Sequence, residues 1–176
     1  MRRLSLGGLL LIAILAASQD GAPSTPDPIV AGAPATAVLS LPYRVPAAVI
    51  SWDLELTALH LINRERVAAG FAPVMPHATI RAAARVHARE LFAGGYLSHR
   101  SLDGRWPNQR VKGLGVRVRL VGENLAYAST VRDAHEALVA SQAHRRNILY
   151  PGYRLAGIAV LDGGSFGVLV VQDFSD

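Results

Sequence analysis

Two apolar runs close the chain, at residues 155–161 and 166–174, and the turn Asp-Gly-Gly-Ser separates them. Apolar runs of this length around a Gly-rich turn are typical of a β-hairpin. Helical patterns precede the hairpin, and the order helix, helix, strand, helix, strand pair favours a sheet with helices on its faces. The sequence therefore predicts an α/β layered domain.

Helical spacing is clearest in two segments. Apolar residues recur three and four positions apart in residues 52–69, and Gly70 follows them, which predicts the first helix. The second helix follows Pro76 and ends at Gly94-Gly95. Its apolar stripe places His87 among small and aliphatic side chains, which are Ile80, Ala83, Ala84, Ala88 and Leu91. Because this stripe offers no second ligand, we expect that histidine to be a hydrogen-bonded core residue.

Three further elements lie between the second helix and the hairpin. Residues 107–112 predict a short helix, and residues 117–128 predict an extended segment. Thr130 and Asp133 match the capping pattern of a helix start. We expect this last helix to end near Ser141.

The start of the chain has the pattern of a secretory leader. Arg2 and Arg3 form a basic region, residues 4–17 form an apolar stretch, and small residues suited to cleavage follow: Ala16, Ala17 and Ser18. The apolar stretch is shorter than the ~20 residues that a membrane-spanning helix needs, and no later segment approaches that length. We therefore predict a signal peptide at residues 1–19, no further transmembrane segment, and a secreted or periplasmic protein.

Prolines crowd the next segment, from residue 20 to residue 46, among alanine, threonine and glycine. This composition favours extended, solvated chain, so we expect a disordered linker. The same segment is the only support for one functional class, a surface or wall structural protein held by a tether. The remaining residues, 47–176, fit a single domain.

The chain contains no cysteine, which excludes disulfides, thiolate metal ligands and a cysteine nucleophile. An exported domain of this kind must be stable through packing alone. The formal net charge is +5, but the arginines are scattered and few aromatic residues lie among them. We therefore expect no nucleic-acid partner.

Three short segments hold the residues most suited to site chemistry. They contain His99 in Ser-His, Glu123 and Asn124 in Gly-Glu-Asn-Leu, and Ser141 and His144 in Ser-Gln-Ala-His-Arg-Arg-Asn-Ile-Leu. Two imidazoles and a carboxylate can bind a borderline cation or transfer protons near neutral pH. Each lies at an element end or in a loop, where a cleft can gather them, and His144 is expected just beyond a helix rather than in one.

Other motifs match catalytic patterns less well. Residues 163–167 fit G-x-S-x-G, but a strand follows the serine where a helix is required, so we predict a hairpin turn. Ser141, His144 and Glu123 can be written as a hydrolytic triad, yet this spacing arises easily by chance. His135 starts a His-Glu pair, but the second histidine of a zinc-protease helix is missing, so we place it on a helix surface.

Five motifs follow one another at residues 95–174 of the segment 52–176: Gly-Tyr-Leu-Ser-His, Gly-Glu-Asn-Leu-Ala, Ser-Gln-Ala-His-Arg-Arg-Asn-Ile-Leu, Leu-Ala-Gly-Ile-Ala-Val and Val-Gln-Asp-Phe. In this order and spacing they resemble the bacterial branch of the CAP superfamily, whose relatives include cysteine-rich secretory proteins, antigen 5 and plant pathogenesis-related proteins. The resemblance implies a three-layer α-β-α sandwich with a mainly antiparallel central sheet, secretion, and a large cleft that gathers histidines and acidic residues. In relatives the histidines can bind a divalent cation such as zinc.

By this resemblance, His99 and His144 correspond to the two cleft histidines, and Glu123 to the glutamate of the Gly-Glu-Asn motif. Ser141 stands where eukaryotic members have a second glutamate, and Leu138 where they have a tryptophan. Losing that carboxylate weakens a four-group catalytic scheme but leaves a metal site of two histidines and water. The histidines are thus the expected metal ligands, and the expected cleft lining is Glu123, Asn124 and Ser141.

Two functions from different classes remain. An enzyme with this set would be a metal-dependent hydrolase in which Glu123 acts as general base on a zinc-bound water. Catalytic zinc usually has three protein ligands, however, and the chain offers two histidines. We therefore expect a binding domain whose cleft takes a lipid, wall glycan, peptide or partner protein. Zinc or another divalent cation is the candidate cofactor, and no organic cofactor is expected.

Overall fold

The computed structural model describes residues 36–176 and, for the backbone alone, residues 13–20. The predicted signal peptide therefore lies outside the described residues at residues 1–12, as does the predicted linker at residues 21–35. None of the described helices is long and apolar enough to cross a bilayer. The described elements are, in chain order, β1 (Ala13–Asp20), β2 (Leu39–Ser40), β3 (Val49–Ile50), α1 (Trp52–Ala68), β4 (Met75–Pro76), α2 (Ala78–Gly94), β5 (Tyr96–Leu97), α3 (Pro107–Gly113), β6 (Leu120–Ala128), α4 (Val131–Ala140), α5 (Gln142–Leu149), β7 (Leu155–Asp162) and β8 (Val168–Ser175).

A mainly antiparallel sheet forms the centre of the domain. Its strands lie in the order β1, β6, β8, β7, β3, and the short β4 pairs in parallel with β7. The predicted terminal hairpin is confirmed, because β7 and β8 pair in antiparallel register from end to end. The G-x-S-x-G motif is its turn, with Gly164–Phe166 in one 3₁₀ turn. A separate ladder joins β2 to β5.

Helices cover both faces of this sheet, which confirms the predicted α-β-α sandwich. Side chains alternate along β6, so Leu125 and Tyr127 pack with α2, while Ala126 and Ala128 pack with α1, α4 and α5. Each Leu, Ile, Val or Phe fully buried in these layers stabilises the fold by about 1.5–3 kcal/mol. Since the chain has no cysteine to cross-link it, the two apolar layers hold the fold together.

The first two long helices form where the sequence predicts them. At the start of α2 the His77 ring accepts a hydrogen bond from the Ile80 N–H at 3.4 Å, and Gly95 ends the helix with φ 71°. α2 then lies directly on β7 at Gly157, where a Cβ would come within 2.3 Å of the Arg81 backbone nitrogen. The absence of a side chain at this position permits the close approach of helix and sheet.

The end of the predicted linker packs on the domain. Leu41 and Val45 are buried, and their N–H groups donate to the carbonyls of Gly95 and Phe92, each at 2.8 Å. Both contacts involve the C-terminal end of α2, and β2 pairs with β5 just beyond it. The packed part of the chain therefore begins before residue 47.

The residues predicted as the end of the leader form a strand along β6. β1 runs antiparallel to β6, with Ala13 opposite Tyr127 and Asp20 opposite Leu120. The signal peptide remains a prediction, since nothing in this pairing tests whether the segment is removed on export. β1 makes β6 an internal strand of the described sheet.

Arg66 on α1 is buried and ties three parts of the chain together. Its guanidinium donates hydrogen bonds of 2.7–3.2 Å to the carbonyls of Ala72, Ile148, Tyr150 and Tyr153. These carbonyls follow α1 or surround the end of α5, where a helix leaves its last carbonyls without an intrahelical partner. Arg66 thus fixes α5 against α1.

Replacing Arg66 by methionine should lower the free energy of unfolding by roughly 3 kcal/mol or more, because several buried carbonyls lose their donor at once. Denaturant titration measures the change, and Arg64→Met is the control, since Arg64 is exposed on the same helix. Equal stability of the two variants would contradict the role assigned to Arg66.

Candidate functional site

β6 presents two neighbouring polar residues to opposite faces of the sheet. Glu123 lies opposite Asp173 of β8, and Asn124 lies opposite Gln172. Because successive strand side chains alternate, Glu123 faces the side of α2 and α3, and Asn124 faces the side of α4 and α5. The Gly-Glu-Asn motif therefore serves both layers of the sandwich.

Glu123 is held by one histidine and one arginine. His99 Nδ1 lies 2.7 Å from Glu123 Oε1, and the Arg110 guanidinium pairs with Glu123 Oε2. Arg110 also donates to the His99 carbonyl at 2.7 Å and to Ser101 Oγ at 3.1 Å. His99, Arg110 and Glu123 are all buried. The predicted meeting of His99 and Glu123 is thus seen as a direct contact, with Arg110 on α3 as its third member.

A second carboxyl lies beside Glu123. Asp173 is fully buried on β8, in cross-strand register with Glu123. Burial raises the pKa of Asp173 well above its ordinary value, and the neighbouring Glu123 raises it further. Burial also raises the pKa of Glu123, but the Arg110 charge opposes that shift. The arrangement therefore favours an ionised Glu123 and a protonated Asp173, because two adjacent buried carboxylates face one cation.

His144 lies inside a helix, so its predicted position beyond a helix end is wrong. Ser141 ends α4 and directly starts α5, which leaves no loop between them. Its Oγ is 2.6 Å from His144 Nδ1 and makes no capping bond to a backbone N–H. The serine instead holds the histidine ring, since the two residues lie three positions apart at the first turn of α5.

Side-chain amides connect His144 to β6. Asn124 Nδ2 donates to the His144 carbonyl at 3.2 Å, and Asn147 Nδ2 donates to the Glu123 carbonyl at 3.1 Å and to Asn124 Oδ1 at 3.0 Å. The Tyr153 hydroxyl donates to Asn147 Oδ1 at 3.2 Å. Gly122 makes room for this network, because a Cβ there would lie 2.0 Å from that hydroxyl.

The two histidines approach β6 from opposite layers. His99 bonds to Glu123 on one face of the sheet, whereas His144 belongs to α5 on the other face and is bonded through its backbone to Asn124. All four residues His99, Glu123, Asn124 and His144 are buried, and we call the strip of β6 that they define, which β1 covers, the edge cleft. β1 runs along it and contacts both α5 and β5, the strand that leads directly into Ser98-His99.

No group of three or more His, Asp or Glu side chains among the described residues is arranged to hold a metal ion. Glu123 is engaged by Arg110, and Ser141 supplies a hydroxyl where a second carboxylate would be needed. Within residues 36–176, the side chains therefore do not form a three-ligand zinc site. A cation held by His99 and His144 alone remains a prediction.

His87 is a core histidine, as the sequence predicts. It is fully buried, with Nε2 2.8 Å from the Ser98 carbonyl and Nδ1 3.2 Å from Ser101 Oγ. Burial, with the nearby Arg110 charge, lowers the pKa of His87 to about 3. His87 is thus neutral near physiological pH, and its two ring nitrogens hold the loop that carries His99.

The surface position expected for His135 is wrong. His135 is buried on α4, and its Nε2 lies 3.7 Å from Glu65 Oε1 on α1.

A separate pocket of about 610 Å³ opens outside the loop that carries His99, and Arg100, Leu102 and Trp106 line it. None of the residues that define the edge cleft lines this pocket.

Sequence reasoning missed Arg110, Asp173 and Asn147. Asp173 and Asn147 stand within the recognised motifs, Val-Gln-Asp-Phe and His-Arg-Arg-Asn, so the motifs themselves were the available signal. Arg110 had no comparable signal, because one arginine in a short helix resembles the many others in the chain. Only the packing of α3 on β6 distinguishes it.

Comparison with known proteins places these residues in a family. The family model described as CAP, the cysteine-rich secretory protein family, matches residues 59–174. The uncharacterized protein YkwD of Bacillus subtilis (strain 168) is 28% identical over 135 residues, which cover 76% of this chain and 52% of that protein. The chain therefore spans about half the length of this relative.

Solved structures share the fold. An extracellular protein with an SCP domain from Bacillus anthracis str. Ames has a TM-score of 0.63 at 22% identity, covering 70% of this chain and 40% of that one. An outer surface protein of Borrelia burgdorferi has a TM-score of 0.68 at 18% identity, covering 73% and 96%. A cysteine-rich secretory protein of Staphylococcus aureus subsp. aureus Mu50 has a TM-score of 0.59 at 15% identity, covering 70% and 38%.

Replacing Arg110 by methionine should lower the free energy of unfolding by about 3–5 kcal/mol, because Glu123 would remain as a buried charge without its cation. The control is Arg105→Met, which removes an exposed arginine paired with Asp103 at the surface. Denaturant titration at neutral pH compares the two, and a loss no larger than that of the control would contradict the assignment.

The histidine His87 should make stability fall with acidity. Its pKa drops from 6.5 to about 3 on folding, so between these values the unfolded chain binds a proton that the folded chain does not. The contribution of His87 to the free energy of unfolding is therefore fully present above the unfolded-state pKa. It decreases as the pH falls towards the folded-state pKa, by up to ~1.4 kcal/mol per pH unit. Denaturant titrations across this range should give a smaller slope for His87→Gln and an unchanged slope for the exposed control His60→Gln. An equal slope in both would refute the assignment.

Proposed function

This chain belongs to the CAP family, the cysteine-rich secretory protein family, and we propose that it is an exported domain that binds a ligand in the edge cleft without hydrolysing it. The extracellular and outer-surface relatives with the same fold support export. The predicted leader at residues 1–19 supports it independently.

The engagement of Glu123 is the observation that carries this proposal. A general base must accept a proton from water or substrate within hydrogen-bond reach. Both carboxylate oxygens of Glu123 already accept from His99 and Arg110, and the side chain is fully buried. Glu123 is therefore suited to holding His99 in place and poorly suited to catalysis.

The contact also determines the protonation of the His99 ring. When ionised Glu123 accepts from Nδ1–H of a neutral imidazole, the in-plane lone pair of the ring is on Nε2. Ser141 restrains the His144 ring in a comparable way through Nδ1. Two oriented imidazoles, one from each layer, can form hydrogen bonds to a ligand between them.

The same two histidines are the candidate ligands for a divalent cation. Two imidazoles without a third protein ligand bind zinc weakly, since structural sites use four protein ligands and catalytic sites three. We therefore assign no step of the function to a metal. The metal-dependent hydrolase remains the alternative that experiment must exclude.

Ligand recovery tests the proposal directly. The exported protein should release a co-purifying lipid, glycan or peptide on denaturation, and mass spectrometry should find much less of it in His99→Ala and His144→Ala. His60→Ala is the control, because His60 is an exposed histidine on α1. A cleft that is repeatedly empty, or equal recovery from all variants, would count against ligand binding.

A second measurement separates binding from hydrolysis. Equilibrium dialysis against zinc gives the metal content, and peptide and ester substrates then give the zinc-dependent activity. We expect no turnover above that of Glu123→Gln. Stoichiometric zinc that both histidine variants lose, with hydrolysis that Glu123→Gln abolishes, would establish the metallohydrolase instead.

A further inference from the structure

The β6 edge is already occupied by an extended segment of this chain. β1 pairs with β6 in an unbroken antiparallel register over eight residues. Within this register Ala17 lies opposite Glu123, and Ala16 lies opposite Asn124. β1 thus covers the edge cleft at Glu123, which contacts His99, and at Asn124, which contacts the His144 carbonyl.

Without β1, the same edge would expose a row of backbone donors and acceptors. β6 is paired on its other side with β8, so β1 is its partner on the cleft side. An unpaired strand edge is a template for another extended chain, and peptide recognition by strand addition uses such edges. A peptide backbone has the alternating N–H and C=O groups that match the edge, whereas a lipid chain or a sugar does not.

The predicted leader ends inside β1. The cleavage zone at Ala16, Ala17 and Ser18 falls in the middle of the strand that covers the edge cleft. Removal of the predicted leader, residues 1–19, would take away all of β1 except Asp20 and leave most of its register on β6 unfilled. The residues that fill the edge in the full chain would then be missing from the exported protein.

We propose that the exported domain binds an extended peptide segment of a partner protein along β6, antiparallel to it, in the place that residues 13–20 occupy in the full chain. This rests on the proposed binding function and names its ligand class. The segment is about eight residues long, free of proline, and carries small side chains at the two positions opposite Glu123 and Asn124, as β1 does. Its neighbours in the cleft are α5 on one side and the start of the His99 loop on the other.

A pair of prolines in β1 tests whether the edge accepts a strand. Only alternate residues of β1 point their N–H groups at β6, so one of two consecutive residues must donate a hydrogen bond to it. Proline has no N–H, and the double change Ala16→Pro/Ala17→Pro therefore removes at least one hydrogen bond between β1 and β6. The full chain is made by cell-free synthesis without membranes, so that residues 1–20 are retained. The control carries Ser24→Pro and Thr25→Pro, outside β1.

The probe is a labelled synthetic peptide with the sequence of residues 13–20, Ala-Ile-Leu-Ala-Ala-Ser-Gln-Asp. Fluorescence anisotropy should show at least about tenfold tighter binding to the β1 proline variant than to the unmodified chain or the control, because a tethered strand competes at high effective concentration. The same peptide with prolines at its two central alanines should not bind. Hydrogen exchange should show that the native peptide restores protection of the β6 amides in the proline variant.

Other results overturn the proposal. The proposal is wrong if the peptide binds equally to all chains, or if the proline-containing peptide binds as well as the native one. It is also wrong if the β6 amides exchange at the same rate in the unmodified chain and in the β1 proline variant. If the proline variant does not fold, the processed protein recovered after export takes its place, with its N-terminus read by mass spectrometry. Failure of the peptide to bind, with a ligand still recovered in a His99-dependent manner, rejects peptide binding alone; failure of both rejects the proposed function as well.

Discussion

The buried ion pair between Arg110 and Glu123 is the interaction on which the site depends. Glu123 lies deep in the sheet because β6 is covered on both faces, and ionised carboxylates are tolerated there only with a partner. Arg110 supplies that partner and also donates a hydrogen bond to the His99 carbonyl. One guanidinium therefore both neutralises the Glu123 charge and positions the loop that carries His99. The orientation of the His99 ring and the packing of α3 on β6 both depend on this pair.

The Gly-Glu-Asn motif has a different physical reason at each of its positions. Gly122 is excluded from carrying a side chain by the Tyr153 hydroxyl, Glu123 serves the layer with His99, and Asn124 serves the layer with His144. A strand can divide neighbouring residues between two faces in this way, because its side chains alternate. The motif is therefore the point at which the two helical layers of the sandwich are joined through hydrogen bonds.

Much of the fold was predictable from local patterns, and the family from ordered motifs. The long helices, the terminal hairpin and the core position of His87 follow from periodicity and turn chemistry, which act over short distances. The Asp173 contact with Glu123 depends on strand register, the Arg110 pair on the packing of α3, and the burial of His135 on α1 lying beside α4. Residues distant in sequence create these contacts, so no local pattern could reveal them. His144 was misplaced because one serine separates its helix from α4, a break too short to distinguish from a helix end.

That shared serine has a consequence for how the chain can vary in length. Ser141 is the single residue between the two helices and is the cap residue of both of them, so there is no slack between α4, which packs into the apolar layer, and α5. If α5 keeps its place against α4, a residue inserted or deleted there is absorbed by the register of α5, and each of its side chains then turns by about 100° around the helix axis, since a helix has 3.6 residues per turn. The histidine ring, the Asn147 amide and the carbonyls held by Arg66 would all leave their positions together. The β7–β8 turn, by contrast, lies at the far end of a hairpin and can lengthen without rotating anything, so natural length variation should be common there and absent at the α4–α5 junction.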